Sequence, residues 1–140
     1  MMLYLDNAAT TLKKPLSVYA TLFKSTLFSG GNAGRGGHKM SMDAVRAIVD
    51  TQDLIAQLFN IKKAENIVFT QNATYALNTA ILGTMSNGGH IVVTEMDHNS
   101  VLRPACLPGN YTVVKADKSG YVHAEDVEKA VRKDTKLIVC

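Results

Sequence analysis

Two segments of the sequence join an apolar run to polar residues that could bind an anion. The first is 67-IVFTQNATYALN-78, in which a predicted strand passes through small polar residues into a predicted helix. Backbone N–H groups at the start of a helix lack partners inside it, and the positive end of the helix dipole lies there. The N–H groups of Ala73, Thr74 and Tyr75, with the Thr74 hydroxyl, therefore predict an anion site. The alternative is that Asn72 or Thr74 merely caps the helix.

The second segment is 91-IVVTEMDHNSVLRP-104, where polar side chains again follow a predicted strand. In an α/β sheet both segments would reach the carboxyl edge, where ligands bind. His98 could then stack on an aromatic ligand and exchange protons near neutral pH. The alternative is a loop histidine in contact with water. The polar residues after the strand are Glu95, Asp97, His98 and Asn99.

The other histidines carry no signal of their own. His38, His90 and His123 are interpreted as ordinary surface or turn residues. The four histidines show no metal-ligand spacing, so no metal is predicted.

A glycine-rich loop, 30-GGNAGRGGHK-39, is the more obvious candidate for binding phosphate. A Walker-type loop requires Gly-Lys-Ser/Thr after a strand, whereas here His38 separates Gly37 from Lys39 and a predicted helix precedes the loop. The dinucleotide-binding pattern is also out of frame. The residues therefore favour a flexible connector over a phosphate-binding loop. In such a connector the glycines permit positive φ angles.

Periodicity predicts the elements that must position these residues. Apolar residues at helical spacing predict helices over about residues 15–28, 40–59, 73–85 and 124–132. Short β-branched runs predict strands at residues 67–69, 91–93, 112–114 and 137–139, covered on both faces. This alternation predicts an α/β domain with a mixed, mainly parallel sheet and flanking helices.

Composition excludes several classes of protein. A net charge of +3 with scattered basic residues gives no reason to expect binding to nucleic acid. No apolar run is long enough to span a membrane. Cys106 and Cys140 lie far apart, which favours a reducing, cytoplasmic setting. The chain stops at 136-KLIVC-140, so it is expected to end inside a sheet.

Four segments together resemble the class V group of fold-type I pyridoxal-phosphate (PLP) enzymes, and most closely the cysteine desulfurases. They are 4-YLDNAATT-11, 31-GNAGRGGHKMS-41, 68-VFTQNATYALN-78 and 95-EMDHNSVLRP-104. The resemblance implies the fold-type I transferase fold and PLP as cofactor. It implies that residues 1–14 line the active site and that residues 15–140 form an incomplete PLP-binding large domain.

The resemblance also implies roles for particular residues. Ala73 and Thr74 match the phosphate-binding turn, and His98 matches a histidine that stacks on the pyridine ring and takes part in proton transfer. Further residues match the substrate side of the pocket or a loop at its mouth near the dimer interface. These are Asn7, Ala8, Ala9 and Thr10, followed by Arg35 and His38. Ala33 replaces a proline that is common in the family.

The resemblance implies the amino-terminal part of an enzyme that converts L-cysteine to L-alanine and passes sulfur to an enzyme persulfide. A homodimer, an amino-acid substrate and a sulfur-acceptor protein are implied partners. The lysine that binds PLP covalently and the catalytic cysteine lie beyond this chain in the family, and neither Cys106 nor Cys140 matches that cysteine. Both are predicted to be small, buried or half-buried thiols.

Two alternatives remain for the function. One is a non-catalytic fragment that binds anions or PLP weakly at most. The other is a class V aminotransferase or selenocysteine lyase that acts on another amino acid.

Overall fold

The computed structural model describes residues 3–8 and 10–140, which form helices, turns and a small sheet. The chain divides between Val68 and Phe69 into two units. Among the described residues, no helix combines the length and apolar character needed to cross a membrane.

The described part of the first unit contains two helices and one short turn. Helix α1 spans Leu16–Phe28, helix α2 spans Lys39–Leu58, and a 3-10 turn covers Ala64–Asn66. Pro15, where the helix was predicted to begin, is the residue before α1. No side chain of α1 is buried, and Phe23 remains 69% exposed. The helix predicted for this segment is confirmed, although its apolar side chains do not contribute to a core.

In the glycine-rich loop, close packing requires glycine at Gly31, and positive φ angles are not the reason. The described glycines with positive φ are Gly88, Gly89, Gly109 and Gly120, so the expectation of positive φ in this loop is wrong. Gly31 lies so close to the backbone of Met40 and Ser41 that a Cβ atom would clash with it. The buried Ser41 hydroxyl donates to the Asn32 carbonyl oxygen at 2.5 Å. The loop is folded against the start of α2.

The strand predicted at residues 67–69 does not form. The Ile67 carbonyl accepts a hydrogen bond from Gln52 Nε2 at 2.7 Å, and Val68 is 79% exposed. A strand requires a neighbouring strand to pair its backbone groups, and this segment has none among the described residues. The prediction of a strand at residues 67–69, which rested on β-branched composition alone, is therefore wrong.

The second unit is an α/β layer built on a three-stranded sheet. Its helices are α3 (Ala73–Met85), α4 (Asn99–Cys106) and α5 (Ala124–Ala130). Its strands are β1 (His90–Thr94), β2 (Tyr111–Val114) and β3 (Thr135–Ile138). The order is β2-β1-β3, and β1 pairs in parallel with both neighbours. The predicted α/β fold class with a parallel sheet is confirmed. Helix α5 ends two residues earlier than predicted.

Burial follows position in the sheet. All five residues of the central strand β1 are buried, as its continuous apolar run predicts. The edge strand β3 alternates instead, and Ile138 is 45% exposed, so the expectation that this strand is covered on both faces is wrong. The core joins Ile81 and Met85 of α3 to Ile91 of β1 and Val101 of α4. This core fixes the two helices whose first turns carry the polar residues.

His90 is a buried bridge across the sheet, not a surface or turn residue as predicted. Its side chain is fully buried, with Nδ1 2.8 Å from Thr135 Oγ1 and Nε2 2.9 Å from Thr112 Oγ1. The ring therefore links β1 to both neighbours through their threonine hydroxyls. Burial lowers the pKa of His90, the Arg132 guanidinium lowers it further, and the Asp134 carboxylate partly opposes them.

This bridge predicts that the protein loses stability as the pH falls. A folded-state pKa below the unfolded value of about 6.5 means that the unfolded chain binds more protons under acid conditions. The His90 contribution is therefore present above that value and is lost below it. Denaturant unfolding from about pH 8 to about pH 5 should show a falling free energy of unfolding. The His90→Gln variant, which keeps a donor and an acceptor, should show a flatter profile. Identical pH profiles for the two proteins would refute this role.

Candidate functional site

The start of α3 and the start of α4 line one cavity in the second unit. Its volume is about 360 Å³. Thr74 and His98 both line it, which is the juxtaposition that the sequence predicted. The remaining lining residues are Asn78, Asn99, Ser100 and Arg103. The lining thus combines hydroxyl, amide, imidazole and guanidinium groups.

The first turn of α3 keeps two backbone donors available. Asn72 caps the helix, and its side-chain oxygen accepts from the Tyr75 N–H at 2.9 Å. The capping role considered for Asn72 is confirmed, and the expectation of a free Tyr75 N–H is wrong because the cap uses it. The N–H groups of Ala73 and Thr74 remain without a hydrogen bond among the described residues. Together with the Thr74 hydroxyl, they form a small donor set beside the cavity.

His98 is held at the start of α4 by Ser100. The Ser100 backbone N–H donates to His98 Nδ1 at 3.1 Å, and the Ser100 hydroxyl oxygen lies 2.9 Å from the same nitrogen. Because Nδ1 accepts this hydrogen bond, the proton of a neutral ring resides on Nε2. Ser100 is buried whereas the His98 ring is exposed. The ring therefore has a fixed tautomer and one nitrogen, Nε2, available to exchange a proton.

The acidic residues between β1 and α4 serve the structure of this turn. Asp97 Oδ2 accepts from the Thr94 N–H at 2.7 Å and lies 3.0 Å from the Thr94 hydroxyl. Glu95 accepts from Lys115 Nζ at 2.8 Å and from the Ala116 N–H at 3.2 Å. The hydrogen bond from Lys115 is the main cause that lowers the pKa of Glu95. Both carboxylates hold the path of the chain that delivers His98, and neither lines the cavity.

Three lining residues, Asn78, Ser100 and Arg103, escaped the sequence reasoning. Asn78 lies one helical turn after Thr74, and its Nδ2 donates to the Thr74 carbonyl at 2.8 Å. Arg103 lies on α4 and is exposed. The spacing i, i+4 from Thr74 to Asn78 places both on one helix face and could have indicated the first. No local signal distinguished Arg103 from an ordinary surface arginine.

The other predicted site residues belong to the first unit. Asn7, Ala8 and Thr10 lie in an exposed, irregular segment before α1, and Ala9 falls outside the described residues. Arg35 is exposed in the glycine-rich loop. His38 caps α2, and its Nδ1 accepts from the Ser41 N–H at 3.4 Å. Their roles at the substrate side of a pocket stay predictions.

The cysteines differ from expectation. Cys106 and Cys140 are both free and exposed, so the prediction of buried or half-buried thiols is wrong. Cys106 is the last residue of α4. Neither thiol lines the cavity that contains Thr74 and His98.

Comparison with known proteins adds a family to this geometry. Residues 3–140 match the model of the family described as aminotransferase class-V. The chain is 34% identical over 144 residues to a probable cysteine desulfurase from Aeropyrum pernix, covering 96% of this chain and 34% of that protein. It is also 34% identical to the cysteine desulfurase IscS of Dictyoglomus turgidum, covering 96% of this chain and 36% of that protein.

Solved structures share the fold. A structure of SspA in complex with cysteine superimposes with a TM-score of 0.79 at 26% identity, covering 94% of this chain and 39% of that chain. The chain spans about a third of the length of the curated relatives, 34% and 36% of the two named above.

Proposed function

Because the chain belongs to the aminotransferase class-V family, we propose that it is the amino-terminal part of a PLP-dependent cysteine desulfurase-like enzyme. The observation that carries the proposal is that Thr74 and His98 line the same cavity. The names of the relatives support the reaction, in which L-cysteine gives L-alanine and the sulfur passes to a persulfide. Bound PLP supplies an electron sink, while the protein supplies binding and orientation.

The donor set beside the cavity fits a phosphate group. Two backbone N–H groups that have no partner among residues 3–8 and 10–140, at Ala73 and Thr74, stand at the positive end of a 13-residue helix. The Thr74 hydroxyl adds a third donor. We assign the phosphate of PLP to these groups. The cap bond from Tyr75 to Asn72 holds the turn in the conformation that presents them.

His98 suits the pyridine ring of the same ligand. Its imidazole is exposed beside the cavity, so one face of the ring is available for stacking on an aromatic group. Ser100 fixes its orientation through Nδ1, which leaves Nε2 to hold or move a proton. We assign to His98 the stacking and proton-transfer roles that the family resemblance implies.

The proposal extends to the substrate and the partners of the whole protein. An amino acid is the substrate class that the cysteine-bound SspA structure supports, with selenocysteine as a further candidate within the family. We also propose a homodimer, which the half-exposed edge strand β3 favours, and a sulfur-acceptor protein. Asn7, Ala8, Ala9 and Thr10, together with Arg35 and His38, are assigned to the substrate pocket. Residues 1–14 and 15–140 correspond to the active-site segment and the large domain, and the free thiols favour the cytoplasm.

A single substitution tests the ring-binding role. Replacing His98 with alanine should weaken PLP binding about tenfold, as the loss of one stacking contact implies. The matched control is His123→Ala, because His123 precedes α5 as His98 precedes α4 but makes no side-chain cap bond. Binding would be followed by the change in PLP absorbance during titration. Equal losses of affinity in the two variants would contradict the assignment of His98.

Activity distinguishes the proposal from its alternatives. This chain carries no lysine that matches the family's covalent PLP site, so alone it should release no alanine from L-cysteine above a protein-free control. A protein that contains this chain together with the rest of the family's length should release alanine from L-cysteine faster than from other amino acids. Preference for another amino acid would favour the lyase or aminotransferase alternative. Alanine release by the chain alone would overturn the proposed division of the site.

A further inference from the structure

Arg103 is the lining residue of the cavity that carries a full positive charge at every physiological pH. It lies on α4, five residues after His98, while Thr74 comes from α3. Within the part of the chain that the structure describes, its guanidinium forms no salt bridge. Its charge is therefore available to a ligand.

The first turn of α3 cannot balance the charge of a phosphate monoester alone. Such a group carries about 1.5 to 2 negative charges at pH 7, whereas a helix N-terminus supplies the equivalent of about half a positive charge. The Ala73 and Thr74 donors are neutral. A dianion in this cavity thus needs a cation, and Arg103 is the cation that the lining provides.

The packing between the helices holds Arg103 close to this turn. Pro104 lies within α4 and has no N–H group to donate to the Ser100 carbonyl one turn earlier. Asn78 Nδ2 lies 3.5 Å from that carbonyl oxygen and 2.8 Å from the carbonyl of Thr74. The Asn78 amide therefore ties the helix that carries Thr74 to the one that carries Arg103. Pro104 itself is buried, which anchors the residue next to Arg103.

We propose that Arg103 is the charge partner of the phosphate group in this cavity and a determinant of preference for phosphorylated over unphosphorylated ligands. The inference rests on the proposed function in taking the anion to be the phosphate of PLP. Arginine suits this role because its planar fork can donate two parallel hydrogen bonds to phosphate oxygens.

The experiment compares inorganic phosphate, PLP and pyridoxal as ligands of the purified chain and its Arg103→Gln and Arg103→Lys variants. Arg103→Gln should weaken the binding of phosphate and of PLP by about three- to tenfold, since the site is exposed and salt screens the pair. Pyridoxal, which lacks the phosphate, should bind equally to all three proteins. Arg103→Lys keeps the charge and should recover part of the loss. Added salt should lower the phosphate affinity of the wild-type chain more than that of Arg103→Gln.

Lys118→Gln is the control, because it removes one positive charge from an exposed turn that does not line the cavity. If Lys118→Gln weakens phosphate binding as much as Arg103→Gln does, the loss of net charge alone explains the result and the proposal is overturned. Unchanged phosphate affinity in Arg103→Gln would also overturn it, even if PLP binds and His98 contributes. Conversely, a loss confined to Arg103 variants with no effect of His98→Ala would retain the charge partner and defeat the ring-binding assignment.

Discussion

Replacing Ala73 with proline is expected to lower the affinity for PLP about 10- to 100-fold while leaving α3 folded. Proline removes one backbone N–H, and a hydrogen bond to a charged group contributes about 1.5–3 kcal/mol. The first position of a helix tolerates proline because its N–H has no partner in the helix. Asn72, with φ −166° and ψ 171°, is already extended, as the residue before a proline must be. The measurement is PLP titration with circular dichroism as a check on the helix.

The chain offers a matched control for this substitution. Ala124 is the first residue of α5, and the preceding His123 is also extended, with φ −80° and ψ 135°. Ala124→Pro should therefore leave both the fold and PLP affinity unchanged. Equal affinity of Ala73→Pro and the wild-type chain for PLP would contradict the assignment of the phosphate to the first turn of α3.

The largest expected effect on stability comes from Ile91 in the central strand. Its side chain is fully buried and belongs to the core that joins β1 to α3 and α4. Truncation of a buried isoleucine to alanine loses transfer free energy and leaves a cavity, at a cost of about 2–5 kcal/mol. Ile91→Ala should therefore lower the free energy of unfolding by that amount in denaturant titration.

An exposed aliphatic residue of the same unit serves as the control. Leu107 follows α4 and is 73% exposed, so Leu107→Ala should change the free energy of unfolding by less than about 0.5 kcal/mol. Similar losses in Ile91→Ala and Leu107→Ala would mean that the described core does not determine the stability of this unit.

Local sequence predicts the elements of the second unit well where burial and periodicity agree. The run at residues 91–93 became a buried central strand, and residues 73–85 became α3 with the predicted bounds. Pairing is what sequence periodicity cannot supply. The run at residues 67–69 is short and rich in β-branched residues like the others, but it finds no neighbouring strand within the described part of the chain. Ile138 lies on an edge strand and keeps one face open.

For the site too, local sequence predicted some features, whereas others depend on contacts that it does not specify. Small polar residues before an apolar stripe predicted the helix start at Ala73, with Thr74 in its first turn, and the strand end predicted where His98 emerges. The use of the Tyr75 N–H by Asn72 and the bridge from His90 to Thr112 and Thr135 depend on groups distant in sequence or on side-chain rotamers. Arg103 was not predicted because the packing of α4 beside α3 is what places it at the cavity.

The central claim is that the cavity at the starts of α3 and α4 binds PLP, rather than the glycine-rich loop. The most direct test is amide chemical-shift mapping of the 15N-labelled chain during titration with PLP and, separately, with inorganic phosphate. Both ligands should perturb the amides of Ala73 and Thr74, and PLP alone should also perturb those of His98 and Asn99 around the ring. Perturbations concentrated at residues 30–37, with Ala73 and Thr74 unmoved, would contradict the account.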